Sequence, residues 1–301
     1  MSAGGLDPAL LPLLRELGDL KRVRSADMDG SFATRGFLRG WGRLVRGEDA
    51  VSVAHAQVAG ALAAARLGAM DGDKLAQLGL DEEAARSVLL RSMDEVAGPL
   101  DRDLTETLRR AVPLHEDDAE EDAPAFAHAL GLQPRAGVTC PGRPRIMLQP
   151  EENHADHCFM VAVYASLMAP AFGADPVRCW WFGTVHHLHN AAMPDAGFTG
   201  EMLLEPHLGA VIEEARRQAL DELEGDLREA AAGVFEEIGG DGTPEARAFH
   251  AADVIDRVLE IEHHVKARSV TMDTVLGEYE LVHEGPVKGF HDDVLRAVGL
   301  P

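Results

Sequence analysis

Nine of the chain's 14 histidines fall between His154 and His264, and they come in short clusters. His154 and His157 stand three residues apart and share a face if their segment is helical. His186 and His187 are adjacent, about 100° apart around a helix axis, and His189 follows. His250 and Asp253 are again three apart. Imidazoles and a carboxylate converging from separate helices are how helical bundles build metal sites. Burying several imidazoles beside a carboxylate is costly unless something pairs them, and a metal ion is an economical partner. The competing account is a hydrogen-bonded polar core or a run of surface histidines. Isolated cases such as His55 and His128 read as satisfied core residues.

Three helices must position these groups. The first is expected over about residues 151–169, and it is apolar all round from Phe159 to Ala165, which marks a buried central helix. The second opens at Asp175-Pro176, an N-cap followed by a first-turn proline, and continues through Trp180, Trp181 and Phe182 to about Asn190. The third opens at Thr243-Pro244 and runs through Asp253 to about Lys266.

Strand-like alternation is nearly absent, and only residues 278–283 carry an extended pattern. Residues 51–70, 81–96 and 101–112 have helical spacing. The charge run at 116–122 (EDDAEED) has no apolar face and reads as a solvated loop. Residues 133–150 hold Pro134, Gly137, Pro141, Gly142, Pro144 and Pro150, too many breakers for a regular element. A domain boundary is expected there. An N-terminal helical region, 1–135, would precede a metal-binding helical domain, 136–301, that ends in a helix at 287–298 after Gly285-Pro286. The fold class is all-α.

With 28 basic and 51 acidic residues the net charge is −23. Such a field repels phosphate backbones and argues against nucleic acid as a partner. A small anionic substrate remains compatible, because a few arginines and a metal reverse the sign locally. Three cysteines without paired spacing exclude a disulfide framework. No apolar run is read as approaching the roughly 18 residues of a membrane span. Residues 1–19 mix leucines with Arg15, Glu16 and Asp19, an amphipathic pattern and not a secretion signal. A cytoplasmic protein with no membrane partner is the expectation.

The order His157-Cys-Phe-Met-Val-Ala, then Phe182-Gly-Thr-Val-His186-His187, then Ala251-Ala252-Asp253 resembles the HD superfamily of metalloproteins over about residues 150–266. The similarity is closest to its nucleotide-phosphohydrolase branch. The resemblance implies an HD-type helical bundle whose metal is held by His157, His186, His187 and Asp253. It further implies phosphate hydrolysis on a small nucleotide-like substrate.

Two residues depart from the family pattern. His187 stands in place of an aspartate, which softens the site and favours a divalent transition metal (iron, cobalt, nickel, manganese or zinc) over magnesium. Asn190 stands in place of a proton-handling glutamate; its amide can orient a water but cannot titrate. Asp195 falls where the family has a loop aspartate and is the candidate acid or base. Arg143 and Arg145, just upstream of the first helix, are candidates to hold the substrate phosphate. Arg257, four residues after Asp253, is expected to pair with it.

The superfamily also includes di-iron oxygenases. His154, His189, His207 and His250 are candidates for a second metal position or its surroundings, so iron-dependent oxidation is the alternative reading. A non-catalytic binding protein is the third.

Overall fold

The computed structural model describes residues 6–26, 29–115 and 118–269, with positions 271 and 295. Among these there are thirteen α-helices and no strand. The first seven are α1 (Leu10–Gly18), α2 (Phe32–Val45), α3 (Ala50–Leu67), α4 (Gly72–Gln77), α5 (Glu82–Val96), α6 (Arg102–Ala111) and α7 (Ala125–Leu132). The remainder are α8 (His154–Phe172), α9 (Pro176–Val185), α10 (Gly197–Leu204), α11 (Leu208–Leu220), α12 (Gly225–Glu237) and α13 (Pro244–Ser269). The all-α expectation holds. The extended piece expected at 278–283 and the helix expected at 287–298 lie outside the described residues.

Local chemistry explains where the helices begin. Ser31, Asp49, Asp81, Asp101, Asn153 and Asp175 each accept the backbone N–H three residues on, which satisfies one orphan donor of the first turn. Asn153 therefore starts α8 at His154, and Gly173 closes that helix in the left-handed conformation, φ 67°. Residues 133–150 form no regular element, only isolated bridges from Pro134 to Asn153 and from Val138 to Ile146.

Residues Met1–Arg257 form one compact unit. Its centre is α8, buried continuously from His154 to Ala169 and packed chiefly against α9 and α2. Trp41 of α2 ties these layers together. Its ring meets Phe126 of α7 edge-on at 4.8 Å and Trp181 of α9 at 6.1 Å. Trp180 Nε1 donates to Gln57 Oε1 of α3 at 3.0 Å. The second unit, Val258–Pro301, is described through the end of α13, where His264 Nε2 lies 3.0 Å from Glu260 Oε1.

Two expectations need correction. The charge run is not simply solvated. Residues Ala119–Asp122 form a 3-10 turn against α2, with Ala119 fully buried. Glu120 accepts from Arg35 at 3.1 Å and Arg39 at 2.9 Å, and Asp122 pairs with Arg46. Those three arginines follow one face of α2, so the acids are answered by packing that the run itself does not reveal.

The reading that no stretch approaches a membrane span is also too strict. α3 and α8 both reach the length and mean hydropathy of one, at 1.2 and 1.3 over 18 residues. For α8 that apolarity reflects burial inside the protein, since 83% of the window is covered by other parts of the chain.

Candidate metal centre

α8 presents His154 and His157 from its first turn. α9 ends earlier than its apolar pattern suggests. It stops at Val185, His186 caps it, and Leu188–Ala191 tighten into a 3-10 turn. The cause is local: Asn190 N–H bonds the His187 carbonyl at 2.9 Å, and its side-chain oxygen takes His187 Nδ1–H at 2.7 Å. An asparagine that engages nearby groups in this way competes with helix continuation. The break turns His186 and His187 together toward α8.

α8 and α9 approach closely at Gly183, where a Cβ would collide with the backbone of Ala162. Gly183 also supplies the carbonyl that takes His186 Nδ1–H at 2.7 Å.

The three imidazoles His157, His186 and His187 can each offer a ring nitrogen within 4.8 Å of the others. α13 adds Asp253, whose Oδ1 is 3.2 Å from His157 Nε2. Two ligands about 2.1 Å from a shared ion stand about 3 Å apart, which matches that separation. His157 is gripped on its other side by Asp256, one turn further along α13, whose Oδ2 takes Nδ1–H at 2.7 Å. Lys21 reaches Asp256 from the N-terminal region at 3.0 Å and Glu152 at 2.7 Å. Glu152, His157 and Asp256 also cluster as potential ligands, but the Lys21 ammonium already occupies the space between the two carboxylates.

Electrostatics prepare the imidazoles for ligation. Burial lowers His186 to about 3, His189 to about 4 and His154 to about 2. His187 is pushed well below its ordinary value, first by burial and then by the charge of His186 and Arg135. All four are therefore neutral at physiological pH, the form whose lone pair binds a metal. For His157, burial and Arg135 work downward, and hydrogen bonds to Asp253 and Asp256 more than reverse them, so its value is raised. Burial acts to raise Asp253, yet its bond to His157 and the charges of His157, His186 and Arg257 hold it below the usual carboxylate range.

Among the described residues the buried His186 Nε2 has no hydrogen-bond partner, and His157 Nε2 faces only the Asp253 carboxylate, 3.2 Å away. Leaving a buried polar atom without a partner is expensive, and a metal ion accepts both nitrogens. The residues present therefore fit a metal, with Asp256, the Gly183 carbonyl and Asn190 each fixing the far nitrogen of one ligating ring.

A family model described as HD domain matches residues 127–284, just over half of the chain. The chain belongs to the HD domain family. HD domain proteins bind divalent metals and are often metal-dependent hydrolases. No curated protein matches the chain, and no solved structure does.

Within this HD domain the other sequence candidates divide. His154 and His189 stand beside the cluster, their rings 4.8 and 5.6 Å from that of His187. His207 is exposed at the start of α11, and His250 is exposed with Nε2 3.0 Å from the Gly240 carbonyl. Neither is brought to the cluster. Although His250 and Asp253 lie one turn apart, only the carboxylate turns inward.

Arg143 and Arg145 are exposed on the 133–150 segment, and Arg145 Nη2 donates to the Ala196 carbonyl at 3.0 Å. Asp195 uses both oxygens on backbone N–H groups, Oδ2 on Ala136 and Oδ1 on Gly197, each at 2.8 Å. Its Oδ2 also lies 3.6 Å from His154 Nε2. That arrangement pins the 133–150 segment and places Asp195 beside His154 at the edge of the cluster. Asn190 is committed in the same way, to His187 and to the Met193 carbonyl at 3.2 Å. Arg257 pairs with Asp253 Oδ2 at 2.9 Å, as its spacing suggests.

Three participants escaped the sequence reading. Asp256 carried a usable signal, three residues after Asp253 on the same helix. Arg135 and Lys21 did not. Arg135 Nη1 lies 3.3 Å from His187 Nε2, which brings a second guanidinium, besides Arg257, to the cluster.

Proposed function

We propose that this HD domain is a metal-dependent phosphohydrolase acting on a small phosphorylated substrate, with the metal on His157, His186, His187 and Asp253. The observation that supports the reading is the convergence of three imidazoles and the Asp253 carboxylate beside the Arg135 guanidinium, which lies 3.3 Å from His187 Nε2. A divalent metal there supplies Lewis acidity, polarising a phosphoryl oxygen and acidifying water.

The protein's own residues do the rest. Arg135 offers planar paired donors suited to a phosphate oxygen, and a metal held on His187 Nε2 would free that guanidinium for a substrate anion. Asp256 and Lys21 keep His157 in the tautomer whose Nε2 faces the site. Asn190 does the same for His187, so the two departures from the family pattern act as one unit: a histidine ligand requires an acceptor at Nδ1, and the asparagine oxygen provides it. With an amide at 190 and Asp195 engaged on backbone, no side chain is assigned to protonate the leaving group. The reading therefore favours substrates whose leaving group needs no proton, such as phosphoanhydrides and aryl phosphates.

Of the residues named for the di-iron alternative, His154 and His189 stand beside the cluster, whereas His207 and His250 are exposed and are not brought to it. The reading is tested by phosphate release from a panel of nucleotides, an aryl phosphate and an alkyl phosphate, with manganese, iron, cobalt, nickel and zinc supplied separately. Metal-dependent release that is abolished by chelation and in His157→Ala is expected. Tight metal binding with no release from any member would overturn it in favour of a binding role.

A further inference from the structure

α2 and α3 enclose a cavity of about 350 Å³, within the range of roughly 300–1,000 Å³ typical of small-molecule sites. α2 lines it with Phe32, Gly36, Arg39 and Arg43, whose spacing puts them on one helix face. They span about 16 Å along the axis. At one end Phe32 meets Phe159 of α8 edge to face, with ring centroids 6.2 Å apart. Gly36 allows that approach, since a Cβ there would strike the Phe159 ring.

The other end carries two guanidinia held in place by partners. Arg39 Nε donates to Glu120 at 2.9 Å, and Arg43 donates through Nε and Nη2 to Glu48 at 2.9 and 2.7 Å. Ala56 of α3 forms the middle of the wall. Asp73 and His115, bonded to each other at 2.8 Å, complete the lining.

None of the four proposed metal ligands lines this space. Phe159 and His157 are two residues apart on α8, hence about 200° apart around it, and face opposite ways. The cavity is thus separate from the metal centre. Asp73 and the paired Glu120 and Glu48 balance the two arginines, so what the guanidinia offer is fixed, oriented N–H donors in place of a net positive field. Ring surfaces at one end and fixed donors at the other match a ligand of corresponding polarity.

We propose that this cavity binds a small organic anion bearing an aromatic ring, with the ring against Phe32 and Phe159 and the anionic group toward Arg39 and Arg43. The reading does not depend on the metal centre.

Two fluorescent probes test it on the full chain: 8-anilinonaphthalene-1-sulfonate and its uncharged counterpart N-phenyl-1-naphthylamine. Both are expected to bind saturably at a single site, and Ala56→Phe, which fills the middle of the cavity, is expected to abolish both. Arg43→Gln is expected to weaken the sulfonate about tenfold and the uncharged probe by less than about twofold. Circular dichroism and melting temperature check that each variant folds. Should Ala56→Phe fail that check, the two-probe comparison on Arg43→Gln decides alone. Non-saturable binding, insensitivity to a folded Ala56→Phe, or equal effects of Arg43→Gln on both probes would overturn the proposal.

Discussion

Asp256 holds His157: its Oδ2 stands 2.7 Å from Nδ1, and neither side chain is exposed. On the far side Lys21 braces the same carboxylate. Burial acts to raise Asp256, yet Lys21 first and His157 next bring it below the usual carboxylate range, so the carboxylate stays ionised. A negative charge at this position holds Nδ1 and aims Nε2 at Asp253, 3.2 Å away. It also binds the N-terminal region to the site, because the cation comes from a residue 235 positions away.

Asp256→Asn preserves size while weakening the acceptor and relaxing the choice of tautomer. Metal affinity is expected to fall roughly 10–100-fold, as read by isothermal titration calorimetry, with an unchanged circular dichroism spectrum. Affinity equal to that of the wild type would remove Asp256 from the account.

Lys21→Met leaves Glu152 and Asp256 buried without the cation between them. Breaking such a buried pair from one side is expected to destabilise the fold by about 3 kcal/mol. Urea unfolding measures this, and an unchanged midpoint would mean that the ammonium contributes nothing net.

Asn190→Ala removes the acceptor that orients His187, and about a tenfold loss of metal affinity is expected. His207→Ala and His250→Ala serve as the contrast. Both side chains are exposed, and metal content in these variants should equal that of the wild type. A loss of metal in either would reopen the case for a second metal position.

Arg135→Gln removes the guanidinium beside His187. Metal content should be retained while KM for the phosphorylated substrate rises about tenfold, the pattern of lost ground-state and transition-state binding alike. An unchanged KM would assign substrate binding elsewhere, with Arg143 and Arg145 the next residues to test.

Much of this arrangement could be read from residue types. α8 was legible from its unbroken apolar run, though its start was read near residue 151 and the Asn153 cap sets it at His154, and its histidines share a face with no need of tertiary information. Clusters at helical spacing on three such segments showed where a metal site would lie, and the resemblance to the HD superfamily singled out the four proposed ligands among them. The end of α9 was less legible, since the apolar pattern continues through Leu188 and only the bonds of Asn190 stop the helix. Lys21 and Arg135 were invisible for a different reason. Nothing in the local sequence of either residue encodes the partner that gives it a role, and both partners are set by packing between distant helices. The charge run at 116–122 misled because the arginines that answer two of its acids lie on α2, more than seventy residues earlier.

The central claim is that His157, His186, His187 and Asp253 jointly hold one divalent transition metal. The most direct measurement is metal content per chain, by inductively coupled plasma mass spectrometry, after incubation with each metal and exhaustive dialysis. It is compared between the wild type and the double variant His186→Ala, Asp253→Ala, both checked for folding by circular dichroism. The account predicts close to one equivalent of a transition metal in the wild type and almost none in the variant. Equal metal in both proteins, or none in the wild type with any metal, would contradict it.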